Sequence, residues 1–407
     1  MSVRKGSVFG GTLLITGSCI GAGMLGLPIL TGIPGFFPSF AMFVIAWAFM
    51  LTTALLMVEI MGWFKKPVNL ISMVDLTLGP IGRAFCWILY LFLFYALLVA
   101  YMSASGNHMS LFAERVLNFP LPNWAGSLIF VLLFGWVIYL GTKPVDMLNR
   151  YLMVGKIIAF VLLVILGIRY LVPHYLLHVD PKYLLFPFPI LIISFGFQNM
   201  VPVLMKYMDG DRKRVRRSIY YGSLFTFGIY LIWEVVALGI LPVNQIFHSF
   251  KIDIDAAQAI REFVGSNFIG FSAQGLAFFA ILTSFLAQAL SITNFLSDGF
   301  KVKHGDRENP GMCLLALLPP LIFSFIYPEI FFKALNFAGG ICAVTIFGIL
   351  PALMTWVGRY QKKHLLPDRV PGGRPLLIVI LLIAAFIFFD QLTTMLNFNV
   401  FPKPFTS

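Results

Sequence analysis

Setting aside basic residues at the margins, the charged side chains inside the long apolar runs of this 407-residue chain are Glu59, Lys156, Glu234 and Asp390. An ionisable group is costly to bury in hydrocarbon, so each is a functional candidate by default. Lys156 lies about ten residues into its run, roughly 15 Å at the helical rise, which is too deep for easy snorkelling to the interface. Such a lysine could exchange a proton, hold a cation position permanently, or tie down the carbonyl oxygens of a broken helix. Thr283 and Ser284 offer hydroxyls that could bind it, although hydroxyls in membrane helices commonly bond to their own backbone. Glu59 stands near the inner end of its run. It is either a second ion-coupling group or a carboxylate that reaches the interface. Glu234 and Asp390 lie toward outer ends, where solvated interface positions are expected.

Other chemistry finds little support. His174 and His178 are four apart, like one face of a metal site, but their loop carries no third ligand. The four cysteines, Cys19, Cys86, Cys313 and Cys342, sit within or beside apolar runs with no C-x-x-C pair, so they read as small buried hydrophobes. Gly21-Ala-Gly23-Met-Leu-Gly26 matches a dinucleotide fingerprint, which needs a strand before it and an acidic residue about 20 positions on. Here it lies inside an apolar run and the next acidic residue is Glu59. Neither G-x-S-x-G, H-E-x-x-H nor a Walker sequence is present. No catalytic residue, cofactor or metal is therefore expected.

The elements that must position Lys156 are membrane spans. With 59% hydrophobic and 11% charged residues, the chain is a polytopic membrane protein whose partner is the bilayer. The net charge of +12 could suggest nucleic acid, but the basic residues sit in alternate connections, which argues for a membrane topology instead. Apolar runs predict eleven spans near 8–31, 37–62, 83–112, 125–141, 147–171, 186–208, 215–240, 271–297, 312–327, 331–357 and 375–396. They form a single domain over 1–407. Placing the N-terminus in the cytoplasm puts about three times as many Lys and Arg inside as outside. The inside set includes Arg4, Lys5, Lys65, Lys66, Lys303 and the Arg212–Arg217 cluster, and the outside set includes Lys182, Arg261 and Lys403. The C-terminus is then periplasmic.

Two spans are interrupted. In the first, Gly17, Gly21 and Gly23 followed by Pro28 predict a helix that unwinds at its centre. In the sixth, Ser194, Gly196, Gln198 and Asn199 precede Pro202. Irregular backbone at membrane depth is tolerated only where it lines a cavity or is buried in protein. Spans five apart enter from opposite sides, so paired breaks predict two inverted five-helix repeats, about 8–171 and 186–357, plus an extra helix at about 375–396.

A zwitterionic amino acid suits such a site. Amides near Gly21, Ala22, Gly23 and Met24 would hold its carboxylate at a helix N-terminus. Carbonyls near Gly17, Ser18, Ile20, Ser194 and Phe195 would hold its ammonium. No acidic side chain is expected at mid-depth in spans 1, 3 or 6, which argues against a polyamine or a basic amino acid. Tyr101, Phe195, Phe197, Gly196 and Gln198 would form the pocket wall.

Gly17-Ser-Cys-Ile-Gly-Ala-Gly-Met-Leu with Leu27-Pro28 resembles the first-helix motif of the hydroxy and aromatic amino acid permeases, bacterial tyrosine and tryptophan transporters. So do Tyr101-Met-Ser-Ala-Ser-Gly, Asn149-Arg150 with Lys156, Ser194-Phe-Gly-Phe with Val201-Pro202, Thr283-Ser-Phe-Leu, Pro319-Pro320 and Gly372-Gly-Arg-Pro. The resemblance implies an all-α fold of the leucine-transporter type and proton-driven uptake across the bacterial inner membrane. It also implies that Lys156 substitutes for a sodium ion beside the first break and the Thr283 and Ser284 hydroxyls. The chain departs from the family pattern at Gln198-Asn199, where a His-Gly is usual, and at Thr293-Asn294-Phe-Leu-Ser-Asp298, where Phe-Asp-Tyr-Leu-Ala-Asp is usual. An amide does not titrate, so Gln198 cannot relay a proton. Tyrosine, tryptophan and phenylalanine stay open as substrates. So do a sodium-coupled or facilitative carrier of another neutral amino acid and a non-transporting amino acid sensor.

Overall fold

The structure is a computed structural model that describes residues 6–64, 68–302, 307–364, 366, 368–396 and 404. Of the basic residues named for orientation, Arg4, Lys5, Lys65, Lys66, Lys303 and Lys403 lie outside these. Every regular element among the described residues is helical, as an apolar chain must be when its backbone has no water to bond. The first apolar run forms α1 (Val8–Cys19) and α2 (Ala22–Gly32), bent by 61°. Then follow α3 (Phe36–Met61), α4 (Leu70–Leu117), α5 (Asn123–Tyr139) and α6 (Thr142–Gly167). The predicted third span begins later than α4, because α4 is two helices joined at Gly79, whose φ of 81° favours glycine.

Three short 3-10 turns lead to α7 (Phe188–Ser194) and α8 (Met200–Tyr207), which flank the irregular residues 195–199. Next are α9 (Arg212–Ile240), α10 (Val243–Lys251), α11 (Ala256–Val264), α12 (Asn267–Gly299) and α13 (Pro310–Ile326). Helix α14 (Phe331–Phe337) continues through a π-helical stretch (Ala338–Ile349) into α15 (Leu350–Trp356) and a second π-helical stretch (Val357–Gln361), and α16 (Gly373–Met395) follows. Among the described residues, seven helices are long and apolar enough to cross a bilayer, eight with the bent α1–α2 pair, and α5 and α13 are shorter apolar helices. Gly339 explains the first π stretch in part: a Cβ there would sit 1.9 Å from the Pro189 oxygen, so the backbone itself packs on α7. Widened turns of this kind concentrate at functional regions.

Burial overturns two sequence expectations. Glu234 and Asp390 are 1% and 6% exposed rather than solvated. Glu59 does not reach the interface either. Arg359 donates from Nε and Nη2 to its two carboxylate oxygens at 2.7 and 2.6 Å, and the Val370 amide adds a third bond at 2.7 Å. This pair locks α3 to the end of the α14–α15 rod and to the strand of chain entering α16.

Asp253 and Asp255 clamp the α10–α11 connection. Asp253 accepts the Phe331 and Phe332 amides at 2.7 and 3.0 Å, capping α14. Asp255 accepts from the Ala257 and Gln258 amides and meets His108 Nε2 of α4 at 2.7 Å. Burial pushes the Asp253 carboxyl from 3.8 up to about 6, against the pull of the Phe331 and Phe332 amides toward the ionised form.

Two predictions follow from these clamps. Removing one partner of a buried pair strands the other charge, which costs about 3–5 kcal/mol. Arg359→Ala should therefore lower the thermal midpoint of the detergent-solubilised protein sharply, and an unchanged midpoint would deny the pair its role. Because the folded Asp253 value is raised, its proton-linked contribution is complete below 3.8 and is lost as pH rises through about 6. The wild type should gain stability between pH 7 and 5, and Asp253→Asn should flatten that part of the profile.

Candidate functional site

The break between α1 and α2, with Pro28 just beyond it, exposes backbone groups that no helix can satisfy, and four other side chains take them up. Ile20 stops the helix with ψ at 83°, and Gly21 continues in an extended conformation. Lys156 of α6 donates from Nζ to the Ile20 oxygen and, at 3.2 Å, lies against Thr283 Oγ1 of α12. The neighbouring Ser284 Oγ accepts the Ala22 amide at 3.1 Å. Thr283 thus binds Lys156 as its type and spacing suggested, while Ser284 binds the backbone of the break instead. Lys156 is 2% exposed.

Helix α9 supplies the other two partners, and the sequence reading missed both. The Tyr230 hydroxyl lies 2.7 Å from the Cys19 oxygen and 2.8 Å from the Ser194 oxygen, the carbonyl ends of α1 and α7. Trp233 Nε1 donates to the Met24 oxygen at 2.8 Å. Tyr230 and Trp233 are three apart and so share a helix face. That spacing, with two amphipathic aromatics in one apolar run, was the available signal. A phenol carries one proton, so Tyr230 satisfies one of its two carbonyls at a time. The oxygens of Cys19, Ser194 and Tyr230 together form a cluster rich in acceptors and short of protons.

The second break lies against the first. A Cβ on Gly23 would meet Ser194 Oγ at 3.1 Å, and one on Gly21 would meet Ser284 Oγ at 2.4 Å. Glycine at both positions lets the helix ends approach. Phe195 stacks edge-on against Phe43 and Tyr230, and Phe195, Phe197 and Gln198 are fully enclosed. Gln198 Nε2 donates to the Met50 oxygen and Thr53 Oγ1 of α3, both at 3.1 Å. Tyr101 is buried. Gly17 faces Met153 of α6, and Ser18 bonds to the Ile15 oxygen in its own helix. Gly196 packs toward Phe347 of the π stretch. Glu59, a sequence candidate for ion coupling, is engaged away from the break by Arg359.

Beside this closed centre, α4, α5, α6 and α12 enclose an apolar cavity of about 580 Å³, bounded by Ser105, Phe130, Gly155 and Ile281 among others. His178, once a candidate for metal binding, meets the Ile33 oxygen at 3.0 Å. The four cysteines are free and buried.

Comparison with known proteins agrees with this geometry. The chain is 31% identical over 389 residues to a tyrosine-specific transport system of Haemophilus influenzae, covering 94% of this chain and 95% of that one. It is 30% identical to a tryptophan-specific transport protein of Shigella flexneri, covering 92% of each. The crystal structure of MhsT in complex with L-phenylalanine superposes with a TM-score of 0.64 over 97% of this chain and all of that one, at 12% identity. The fold is accordingly of the leucine-transporter type, in a multi-pass membrane protein that is a permease and not an enzyme. The model of the tryptophan/tyrosine permease family matches residues 4–390, and the chain belongs to that family.

Proposed function

We propose that the protein imports an aromatic amino acid, tyrosine first and tryptophan or phenylalanine next, by proton symport with alternating access. It does so across the bacterial inner membrane, with eleven spans, a cytoplasmic N-terminus and a periplasmic C-terminus. The observation that carries this reading is the meeting of the Cys19 and Ser194 carbonyls at one hydroxyl, beside a break held by Lys156. An ammonium brings up to three protons to oxygens that Tyr230 serves with one. The substrate amine therefore binds between the ends of α1 and α7. The carboxylate takes the amides that begin α2, around Gly21, Ala22, Gly23 and Met24, where the helix dipole favours negative charge. Ser284 holds one of these amides and would have to yield it.

Lys156 acts as a resident cation. Its ammonium binds α1 to α6 and α12 as a metal ion would, with the charge carried by a side chain that cannot diffuse away. Phe195, Phe197, Tyr101 and Gln198 then shape the wall that meets an aromatic side chain. The relatives named as tyrosine- and tryptophan-specific transporters support this substrate class. Import driven by sodium is the competing reading, and a side-chain ammonium at the break argues against it.

Uptake of labelled L-tyrosine and L-tryptophan into proteoliposomes tests the reading. Saturable accumulation that disappears when an imposed pH gradient is collapsed is expected, and accumulation indifferent to that gradient but dependent on sodium would reject it. Lys156→Ala removes the cation from the break and should abolish accumulation. An unchanged steady-state level in that variant would take Lys156 out of the mechanism.

A further inference from the structure

Glu234 is buried on α9, one turn beyond Tyr230. Its Oε2 lies 2.7 Å from Thr31 Oγ1 of α2, and its Oε1 has no partner among the described residues. The charged or titratable groups on the elements packed against α9 include Cys19, Glu59, Lys156, Arg169, His174, His178, Lys206, Arg261 and Glu262. Among the described residues none of them makes an ion pair or hydrogen bond with Glu234. Glu59 is held by Arg359, Lys156 by the Ile20 carbonyl, and His178 lies on the Ile33 carbonyl. An ionised carboxylate enclosed in this way would have one hydroxyl as its whole solvation.

Thr31 Oγ1 is 2.7 Å from the Leu27 oxygen as well as 2.7 Å from Glu234 Oε2, and its hydroxyl is in reach of both acceptors. Thr31 has one hydroxyl proton and the Leu27 carbonyl has none to give. With the carboxyl ionised, that one proton is shared between two oxygens. With the carboxyl protonated, each contact has a proton of its own, Thr31 donating to Leu27 and the Glu234 acid O–H to Thr31. Ser39 Oγ donates to the Thr31 backbone oxygen at 2.6 Å and fixes this turn of α2 from α3.

We propose that Glu234 is the site of the transported proton, an inference that rests on the proton-symport reading and deepens it. With α2 seated on α9 the carboxyl keeps its proton, because only the acid form completes the Glu234–Thr31–Leu27 chain. When α2 leaves α9 and water enters, the carboxylate is hydrated and the proton departs to that water. The proton is thereby tied to the position of the half-helix whose first turn receives the substrate carboxylate. Lys156 holds the break together and Glu234 carries the exchangeable charge.

The test compares the wild type with Glu234→Gln in proteoliposomes, using labelled L-tyrosine and L-tryptophan. The glutamine amide can donate to Thr31 Oγ1 as the acid does but cannot release a proton. The variant should retain counterflow exchange yet lose gradient-driven accumulation. The wild type should reach about tenfold per pH unit for one proton per substrate, and the variant about one. Accumulation by Glu234→Gln equal to a coupled wild type overturns this proposal alone. A wild type indifferent to the pH gradient overturns the symport reading and this proposal with it. Infrared spectroscopy covers a glutamine variant that fails to insert: at pH 7 the wild type should show a protonated-carboxyl band that shifts in Glu234→Asp, and its absence would overturn the assignment.

Discussion

A peptide group freed at membrane depth has no water to fall back on, and an unsatisfied one costs several kcal/mol. The Ile20–Gly21 break frees several at once, and Pro28, which has no N–H, frees the Met24 oxygen one turn further on. Each is met from a different direction: the Ile20 oxygen by Lys156, the Ala22 amide by Ser284, the Cys19 oxygen by Tyr230 and the Met24 oxygen by Trp233. Three helices, α6, α12 and α9, are thus bonded to a gap of two residues. The break survives because its surroundings complete it. Substituting any of these partners would remove a bond that the bilayer cannot replace, which makes the break a point of convergence for the whole bundle.

The partners differ in what they can release. Lysine and tryptophan donate without accepting, so their carbonyls are settled. Serine and tyrosine hydroxyls can turn, so their contacts with the Ala22 amide and the Cys19 and Ser194 oxygens are adjustable. The fixed contacts hold the geometry of the two half-helices, and the adjustable ones are those that the proposed binding of a zwitterion would draw on. Glycines 21 and 23 complete the arrangement: a methyl group at Gly21 would displace the Ser284 hydroxyl, and one at Gly23 would crowd the Ser194 hydroxyl.

Much of this was legible in the residues. Gly17, Gly21, Gly23 and Pro28 announced a broken first helix through poor helix propensity alone, and the polar run at Ser194–Asn199 announced its counterpart. Lys156 declared itself as a charge too deep to reach water, and Thr283 as a hydroxyl that could meet it, although that hydroxyl also bonds the Ala280 oxygen of its own helix. The contribution of α9 did not. Tyr230 and Trp233 are ordinary in a chain with 16% aromatic residues, and only the fold brings their polar tips to the carbonyls of α1, α2 and α7. Glu59 and Arg359 are 300 positions apart, so no local pattern pairs them. Glu234 looked interfacial because distance along a helix measures depth in the bilayer, whereas burial depends on what the neighbours cover. Here α2 covers it.

That covering links energetics to movement. Helix α2 is attached to α9 through Trp233 at Met24 and through Glu234 at Thr31, contacts about two turns apart along α2. Two such attachments fix an orientation where one would leave a pivot, so α2 moves against α9 only when both yield. The Trp233 bond can yield to water without any change of charge. The Glu234 contact resists more, since parting replaces its one hydroxyl partner with water. On the proposal that this carboxyl carries the transported proton, motion of the half-helix and ionisation of the carboxyl would be one event, and a solute that draws α2 toward α7 would bias both together.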